Sequence, residues 1–445
     1  MHQPDPETLQ RAYAQFAKLP LKRIPKRQQP APESWLPLHP ANTFIGREFY
    51  LRQLAQAMAS RDATESTPAV VITGMGGMGK TSLALEFAHR YGHYFAGGVF
   101  WINADDTNSV RCIVLPSLDA IWRKIYHARD LKLAEWEQRL TEVQAFFNNP
   151  IPRLLIFDNC ENEALLEMYR PSPSSGCRIL VTSRNSTWSA SNIHQLPLDV
   201  LEPRESCGLL QRLVPRLNLA EAAQLAEAVS YLPLALYLVG YALGKLEPTL
   251  APIRYLERLQ QALLDELELN AQDLAEIEYR SATNYQSIIA ATVWINYDLL
   301  VKAKTGGDLL KLRRLLSLLA CCAPNLPIPL SALGFATGFS QRMLNRLLRQ
   351  LARAGFIQAS DQPQIHGLIA VVIRSLEHEQ LGVATAAMNH GLIKASKIAC
   401  EEWAMQTLSE LEPHLYHRYY HEGERPIYAG QLLNQLALIA SRRGD

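Results

Sequence analysis

The chain has 445 residues, 48% of them hydrophobic, with 44 Lys and Arg against 43 Asp and Glu. That balance excludes a disordered polyelectrolyte and suffices for several packed cores, and the length predicts about three domains. A net charge of +1 supplies no global attraction to nucleic acid or to an anionic membrane.

In chain order, residues 1–41 read as a basic, Pro-rich arm. Prolines at 20, 25, 30, 32, 37 and 40 interrupt it, a short helix fits around Glu7–Lys18, and Lys18, Lys22, Arg23, Lys26 and Arg27 cluster. A solvated linker or docking arm is preferred over a nucleic-acid tail, because few aromatics are present to stack on bases. No signal peptide is evident, and the seven cysteines form no CxxC pair or metal-ligand spacing, so a reducing, cytoplasmic setting is expected.

Residues 42–200 alternate short apolar runs with helical stretches. The runs are Ala69–Thr73, Gly98–Ile102, Leu154–Phe157 and Ile179–Thr182. They are β-rich and lack a polar alternation, as strands buried on both faces of a parallel sheet do. A doubly wound α/β domain follows. Residues 201–280 predict a helical domain and 281–378 a winged helix, with the short extended run Gly355–Ala359 as its β element. Residues 379–445 predict a helical segment carrying Trp403, Tyr416, Tyr419 and Tyr420; it leads into the amphipathic Gly430–Ala440 and the terminal Arg442–Asp445, and the run Leu432–Asp445 is similar to the first helix, half a unit, of a tetratricopeptide repeat. The uncharged stretch Ala228–Gly244 is slightly short for a membrane span, which needs about 20 residues, and it contains Pro233 and Gly240. It reads as a buried helix, and no membrane association is expected.

Gly74-Met75-Gly76-Gly77-Met78-Gly79-Lys80-Thr81 satisfies GxxxxGK[ST] between a predicted strand and the amphipathic helix Ser82–Tyr91. Glycines let the backbone curl until successive N–H groups face phosphate oxygens, and the helix N-terminus adds partial positive charge. Lys80 neutralises the β/γ phosphates, and the Thr81 hydroxyl can ligate Mg²⁺. The carboxylate for the metal is expected from a neighbouring strand, where Asp158 ends Arg153–Asp158. Asn159 follows where many ATPases place a second carboxylate; an amide is a poor general base, and Glu161 lies beyond the strand end, so hydrolysis should be slow. Arg184 ends another strand and can reach a γ-phosphate, the plain alternative being a surface loop arginine.

The order of Phe44-Ile45-Gly46-Arg47-Glu48, the Gly-rich loop, Leu154–Asn159, Thr182-Ser183-Arg184, Leu232-Pro233-Leu234 and Ile365-His366-Gly367 resembles the NB-ARC class of STAND P-loop NTPases, in the bacterial form associated with tetratricopeptide repeats. The resemblance covers about residues 42–380. It implies that Phe44, Ile45 and Arg47 border adenine and ribose, and that Gly76, Gly77, Met78, Gly79, Lys80, Thr81 and Ser82 wrap the phosphates. It further implies that Thr81 and Asp158 hold Mg²⁺, that Lys80, Asp158 and Arg184 form the catalytic set, that Pro233 packs on adenine, and that His366 touches the β-phosphate of ADP. Gly367 stands where an Asp often follows that histidine. The implied function is an ATP/ADP-operated switch, ADP-bound and closed at rest, ATP-bound and oligomeric when active, in bacterial defence or stress signalling. A protein partner or trigger would act through the C-terminal helical region.

Arg342, Arg346, Arg349 and Arg353 share one face of Gln341–Arg353, with Leu344, Leu347, Leu348 and Leu351 opposite. The rival reading makes this stripe a DNA contact in a nucleotide-gated transcription regulator. A solvated face, or one turned to an acidic partner, is preferred. A third reading is a scaffold that holds nucleotide without hydrolysing it.

Overall fold

The computed structural model describes residues 4–36, 38, 40, 43–59, 69–104, 117–118, 121–122, 124–125, 136–189, 193–269, 284–302, 307–358, 363–401, 407, 410–411, 413–415, 417–418, 431–432 and 434–439. Ala359, Trp403, Tyr416, Tyr419, Tyr420 and the run Arg442–Asp445 lie outside the described residues. The chain forms two compact units, one within residues 1–199 and one within 200–440.

The first unit is built on a five-stranded, all-parallel sheet. Its strands are β1 (Ala69–Thr73), β2 (Val99–Asn103), β3 (Arg153–Asp158), β4 (Cys177–Ser183) and β5 (Ile193–Pro197), in the order β2-β3-β4-β1-β5. β1 and β3 are buried along their whole length, which explains their unbroken apolar sequences. One core packs Phe100, Ile102, Leu155, Phe157, Ile179 and Val181 against Trp122 and Phe147. β5 was not expected. It is an edge strand, largely exposed at His194 and Pro197, and the sequence IHQLP has no apolar run to announce it.

The arm is a docked element. Helix α1 (Pro6–Phe16) begins on an Asp5 cap and sets Phe16 against Phe95, with ring centroids 5.2 Å apart. Further along, Trp35 N donates to Val99 O (2.8 Å) and Trp101 N to Trp35 O (2.9 Å). The arm thus pairs in parallel with Phe100 and covers the β2 edge of the sheet, whose open N–H and C=O groups would otherwise invite association. Arg27 of the basic cluster forms a two-pronged ion pair with Glu86, whose side chain is fully buried. Helices α2 (Glu48–Ala59), α3 (Lys80–Tyr91), α4 (Trp136–Phe147) and α5 (Glu163–Tyr169) complete the unit.

Among the described residues, the second unit is helical apart from one two-stranded ribbon. It runs α6 (Pro203–Leu213), α7 (Leu219–Ala228), α8 (Pro233–Tyr241), α9 (Pro252–Leu269), α10 (Asn284–Lys302), α11 (Gly307–Ala320), α12 (Leu330–Thr337) and α13 (Gln341–Arg353). The antiparallel pair β6 (Ile357–Gln358) and β7 (Gln364–Ile365) follows, then α14 (Gly367–Leu376) and α15 (His378–Glu401). Leu344, Leu347, Leu348 and Leu351 are buried and the four arginines of the same helix are exposed, as the periodicity requires. The stretch Ala228–Gly244 is not one helix. Ser230 and Tyr231 both adopt positive φ (50° and 58°), ending α7; Pro233 then opens α8, and a π turn, Ala242–Leu246, finishes it. Pro233 has no N–H to donate, so it suits a first helical position and not a helix interior. The C-terminal apolar run packs on α15, where Ser396 Oγ donates to Gln435 Oε1 (3.0 Å). Among the described residues no helix is long and apolar enough to cross a membrane.

Candidate nucleotide site

β1 ends at Thr73, and the chain turns through Gly74 to Gly79 before α3 begins at Lys80. Gly74 has φ +149°, and a Cβ there would meet Leu198 O at 2.8 Å. Gly79 caps α3 at φ +88° without any side-chain cap. The first N–H groups of α3 are therefore aimed out of the loop with no side chain answering them, the arrangement that favours an anion.

Lys80 is buried, 8% exposed, and its Nζ donates to Gly74 O (2.6 Å) and Met75 O (2.9 Å). Burial lowers its pKa to about 8; Glu161 and Asp158 push the other way, and Arg184 reinforces the lowering. Arg47, buried and at φ 66°, reaches across from the start of α2 to donate from Nη2 to Met78 O (3.2 Å), with its guanidinium 5.3 Å from the Tyr50 ring. It braces the loop backbone. Phe44 and Ile45 precede it, half-buried.

Asp158 ends β3. β3 is not the neighbour of β1 that a metal carboxylate on an adjacent strand would require, because β4 lies between them. Asp158 nevertheless meets the loop. Thr81 Oγ1 donates to Asp158 Oδ1 (2.9 Å), and Thr182 Oγ1, from the intervening β4, donates to the same oxygen (2.6 Å). Burial raises the Asp158 pKa, opposed by the Thr182 and Thr81 hydroxyls and the Lys80 charge. Among the described residues no cluster of three or more His, Cys, Asp or Glu could hold a metal alone. A hydroxyl beside a single carboxylate is a poor protein cage but fits Mg²⁺, which takes one or two protein oxygens and completes its shell with phosphates and water.

Asn159 has φ 65°, and its N donates to Thr182 Oγ1 (2.9 Å). Asn and Asp are the side-chain-bearing residues that visit this left-handed region most readily. Glu161 lies beyond the strand end, as expected, but turns back to it. It accepts from Ser183 Oγ (2.9 Å), Arg184 N (2.8 Å), Asn185 N (2.9 Å) and Arg184 Nε (2.9 Å). Burial alone would raise its pKa, but the Arg184 guanidinium, the Asn185 amide and the Ser183 hydroxyl outweigh that and hold it below the usual carboxylate range. A carboxylate so engaged is a poor proton acceptor. The first unit thus brings together Arg47, the Gly-rich loop, Lys80, Thr81, Asp158 and Arg184, while Ser82 is exposed. Thr182 and Ser183 were missed as site residues; their one signal was a run of hydroxyls ending a predicted strand.

Pro233 and His366 belong to the second unit. Pro233 is half-buried at the start of α8. His366 caps α14, its Nδ1 accepting from Leu368 N (3.2 Å). That bond sets the tautomer of the neutral ring with the proton on Nε2. Gly367 needs no special backbone freedom: a Cβ there would make ordinary contact with Pro324 at 3.6 Å.

A parallel sheet whose first strand feeds a Gly-rich loop, a lysine and an uncapped helix start, with a threonine and a strand-end aspartate converging beside them, defines a P-loop NTPase. Residues 43–355, well over half of the chain, match the AAA ATPase domain family, and the chain belongs to it. It is a P-loop NTPase of the STAND type, as the ordered motifs imply. The regulatory protein AfsR of Streptomyces coelicolor is 25% identical over 209 residues, 45% of this chain and 21% of the relative. The probable disease resistance protein RF45 of Arabidopsis thaliana is 29% identical over 198 residues, 41% of this chain and 18% of the relative. The chain therefore spans about a fifth of the length of these relatives. Among solved structures, a STAND protein with a tetratricopeptide repeat sensor from Pyrococcus horikoshii is similar at a TM-score of 0.48 and 15% identity, covering 91% of this chain and 60% of that one.

Proposed function

We propose that this STAND ATPase is an ATP/ADP-operated signalling switch, held closed by ADP and assembled into oligomers with ATP, in bacterial defence or stress signalling. The observation that carries the reading is the set of charges at the strand ends: Lys80 and Asp158 beside the loop, and Arg184 occupied by Glu161 (2.9 Å). ADP ends at the β-phosphate, which the loop would hold, and has no γ-phosphate to draw Arg184 from Glu161. The γ-phosphate of ATP can draw it, because a planar guanidinium fork matches phosphate oxygens. The two nucleotides would thus favour different arrangements, and a ligand shifts such an equilibrium only by its differential affinity.

In this reading the loop from Gly76 to Ser82 wraps the phosphates, and Phe44, Ile45 and Arg47 border adenine and ribose. Thr81 and Asp158 hold Mg²⁺, which neutralises charge developing on the phosphoryl oxygens. Pro233 packs on adenine, and His366 Nε2–H donates to the β-phosphate of ADP. The three helices α11 to α13 followed by the β6–β7 ribbon support a winged helix around that histidine. Asn159 and the occupied Glu161 support slow hydrolysis, a timer and not a metabolic reaction. The DNA-binding rival is weakened because Arg346 is paired with Asp308 (3.0 Å) and Arg349 bonds its own helix at Asn345 O (3.2 Å).

The decisive experiment is mass spectrometry of nucleotide released from the purified protein and from Lys80→Ala. The wild type should yield ADP and the variant none. A variant that still carries stoichiometric ADP or ATP removes the loop from the assignment.

A further inference from the structure

Residues 321–329, joining α11 to α12, are laced to the strand that leads into His366. Asn325 N donates to Ile365 O (2.8 Å) and Ile328 N to Pro363 O (2.9 Å). The carbonyl held by Asn325 belongs to the peptide linking Ile365 to His366, so the loop directly orients the histidine's backbone.

The same loop is held from its other side by the C-terminal segment. His414 is fully buried, and both ring nitrogens are used: Nδ1 accepts from Ala323 N (3.1 Å), and Nε2 bonds Pro327 O (2.9 Å). One helical turn on, Arg418 is buried too; its Nη1 is 3.5 Å from Cys321 O, and its Nε donates to Asn389 Oδ1 (3.0 Å). Burial pushes the His414 pKa down to about 4, so the ring is neutral and its two partners require the proton on Nε2. The two bonded loop residues straddle Asn325, the residue that grips Ile365.

We propose that His414 is a positioning residue for His366, coupling the C-terminal helical segment to the nucleotide lock through residues 323–328. The proposal rests on the reading of His366 as the group that touches ADP. Withdrawing the imidazole leaves the Ala323 N–H and the Pro327 C=O unanswered in a buried site, where such groups are costly. The loop must then shift, and the Ile365 carbonyl with it. A partner that displaces the C-terminal segment acts by the same route.

The test is the release rate of N-methylanthraniloyl-ADP from the full chain, chased with unlabelled ADP, with circular dichroism as the folding control. His414→Ala should release it about tenfold faster, the scale set by losing buried hydrogen bonds. His414→Asn keeps an acceptor near Nδ1 and His414→Gln a donor near Nε2, so both should fall between wild type and His414→Ala. If His414→Ala does not fold, this pair decides. Because His414 acts through His366, the double variant His366→Ala/His414→Ala should release no faster than His366→Ala alone. Wild-type rates in the folded His414 variants, or multiplying effects in the double variant, overturn the proposal. A wild-type rate in His366→Ala itself would instead bring down the reading of His366, and this proposal with it.

Discussion

Lys80 is a cation in a place that disfavours cations. Its pKa of about 8 in the folded protein lies below the ordinary 10.5, so the charged form is penalised by the fold. The sign follows from linkage: stability from the neutral form is fully present above 10.5 and lost as pH falls through 8, which costs about 3 kcal/mol at neutral pH. Phosphate oxyanions reverse the preference by favouring the ammonium. The Lys80 contribution to ADP affinity should therefore be flat below about pH 7 and weaken by up to about tenfold per unit above about pH 8, with proton uptake on binding there. Isothermal titration in buffers of different ionisation enthalpy checks this; an affinity unchanged to about pH 9.5 contradicts it. At the end of β3, Asn159 has the backbone conformation that Asp also tolerates. Asn159→Asp should leave the strand end intact and, with Glu161 already engaged, raise single-turnover ATP hydrolysis by about tenfold or more. An unchanged rate means that the missing carboxylate is not what limits hydrolysis. The motif residues were legible in the sequence because their spacing is local. The engagement of Glu161 was not legible there, because its four donors come from residues 183–185, at and just after the end of β4.

At the level of elements, the docked arm contributes more than its composition implies. Proline spacing and positive charge read equally well as a solvated tail. Only the fold brings Arg27 to the buried Glu86, which Arg90 also pairs, and Trp35 to the open edge of β2. Removing one side of a buried ion pair strands its partners, so Glu86→Ala should lose about 3 kcal/mol or more in urea denaturation. Arg27→Ala should lose less, since Arg90 still answers Glu86. Both variants should expose the arm to trypsin near Lys26, and an arm equally protected in Glu86→Ala would mean that the β2-edge pairing alone holds it. The same limit applied to Ala228–Gly244. Its apolar content marked it as buried, but the break at Ser230–Tyr231 depends on backbone conformations that neither side chain advertises.

For the molecule as a whole, the switch reading predicts different assembly states with different nucleotides. Light scattering should find the ADP-loaded chain monomeric and the protein exchanged into a slowly hydrolysed ATP analogue larger. The same species with both nucleotides would leave a nucleotide-holding scaffold as the better description. Order along the chain was enough to establish a P-loop NTPase of the STAND type, since phosphate contacts depend on a contiguous loop and helix start. The sheet order, the interposed β4, the engagement of Arg184 by Glu161 and the grip of His414 on residues 323 and 327 came only with the tertiary structure. Each of these joins groups from separate strands or distant segments, and no local pattern of polarity records which distant partner a buried polar group will find.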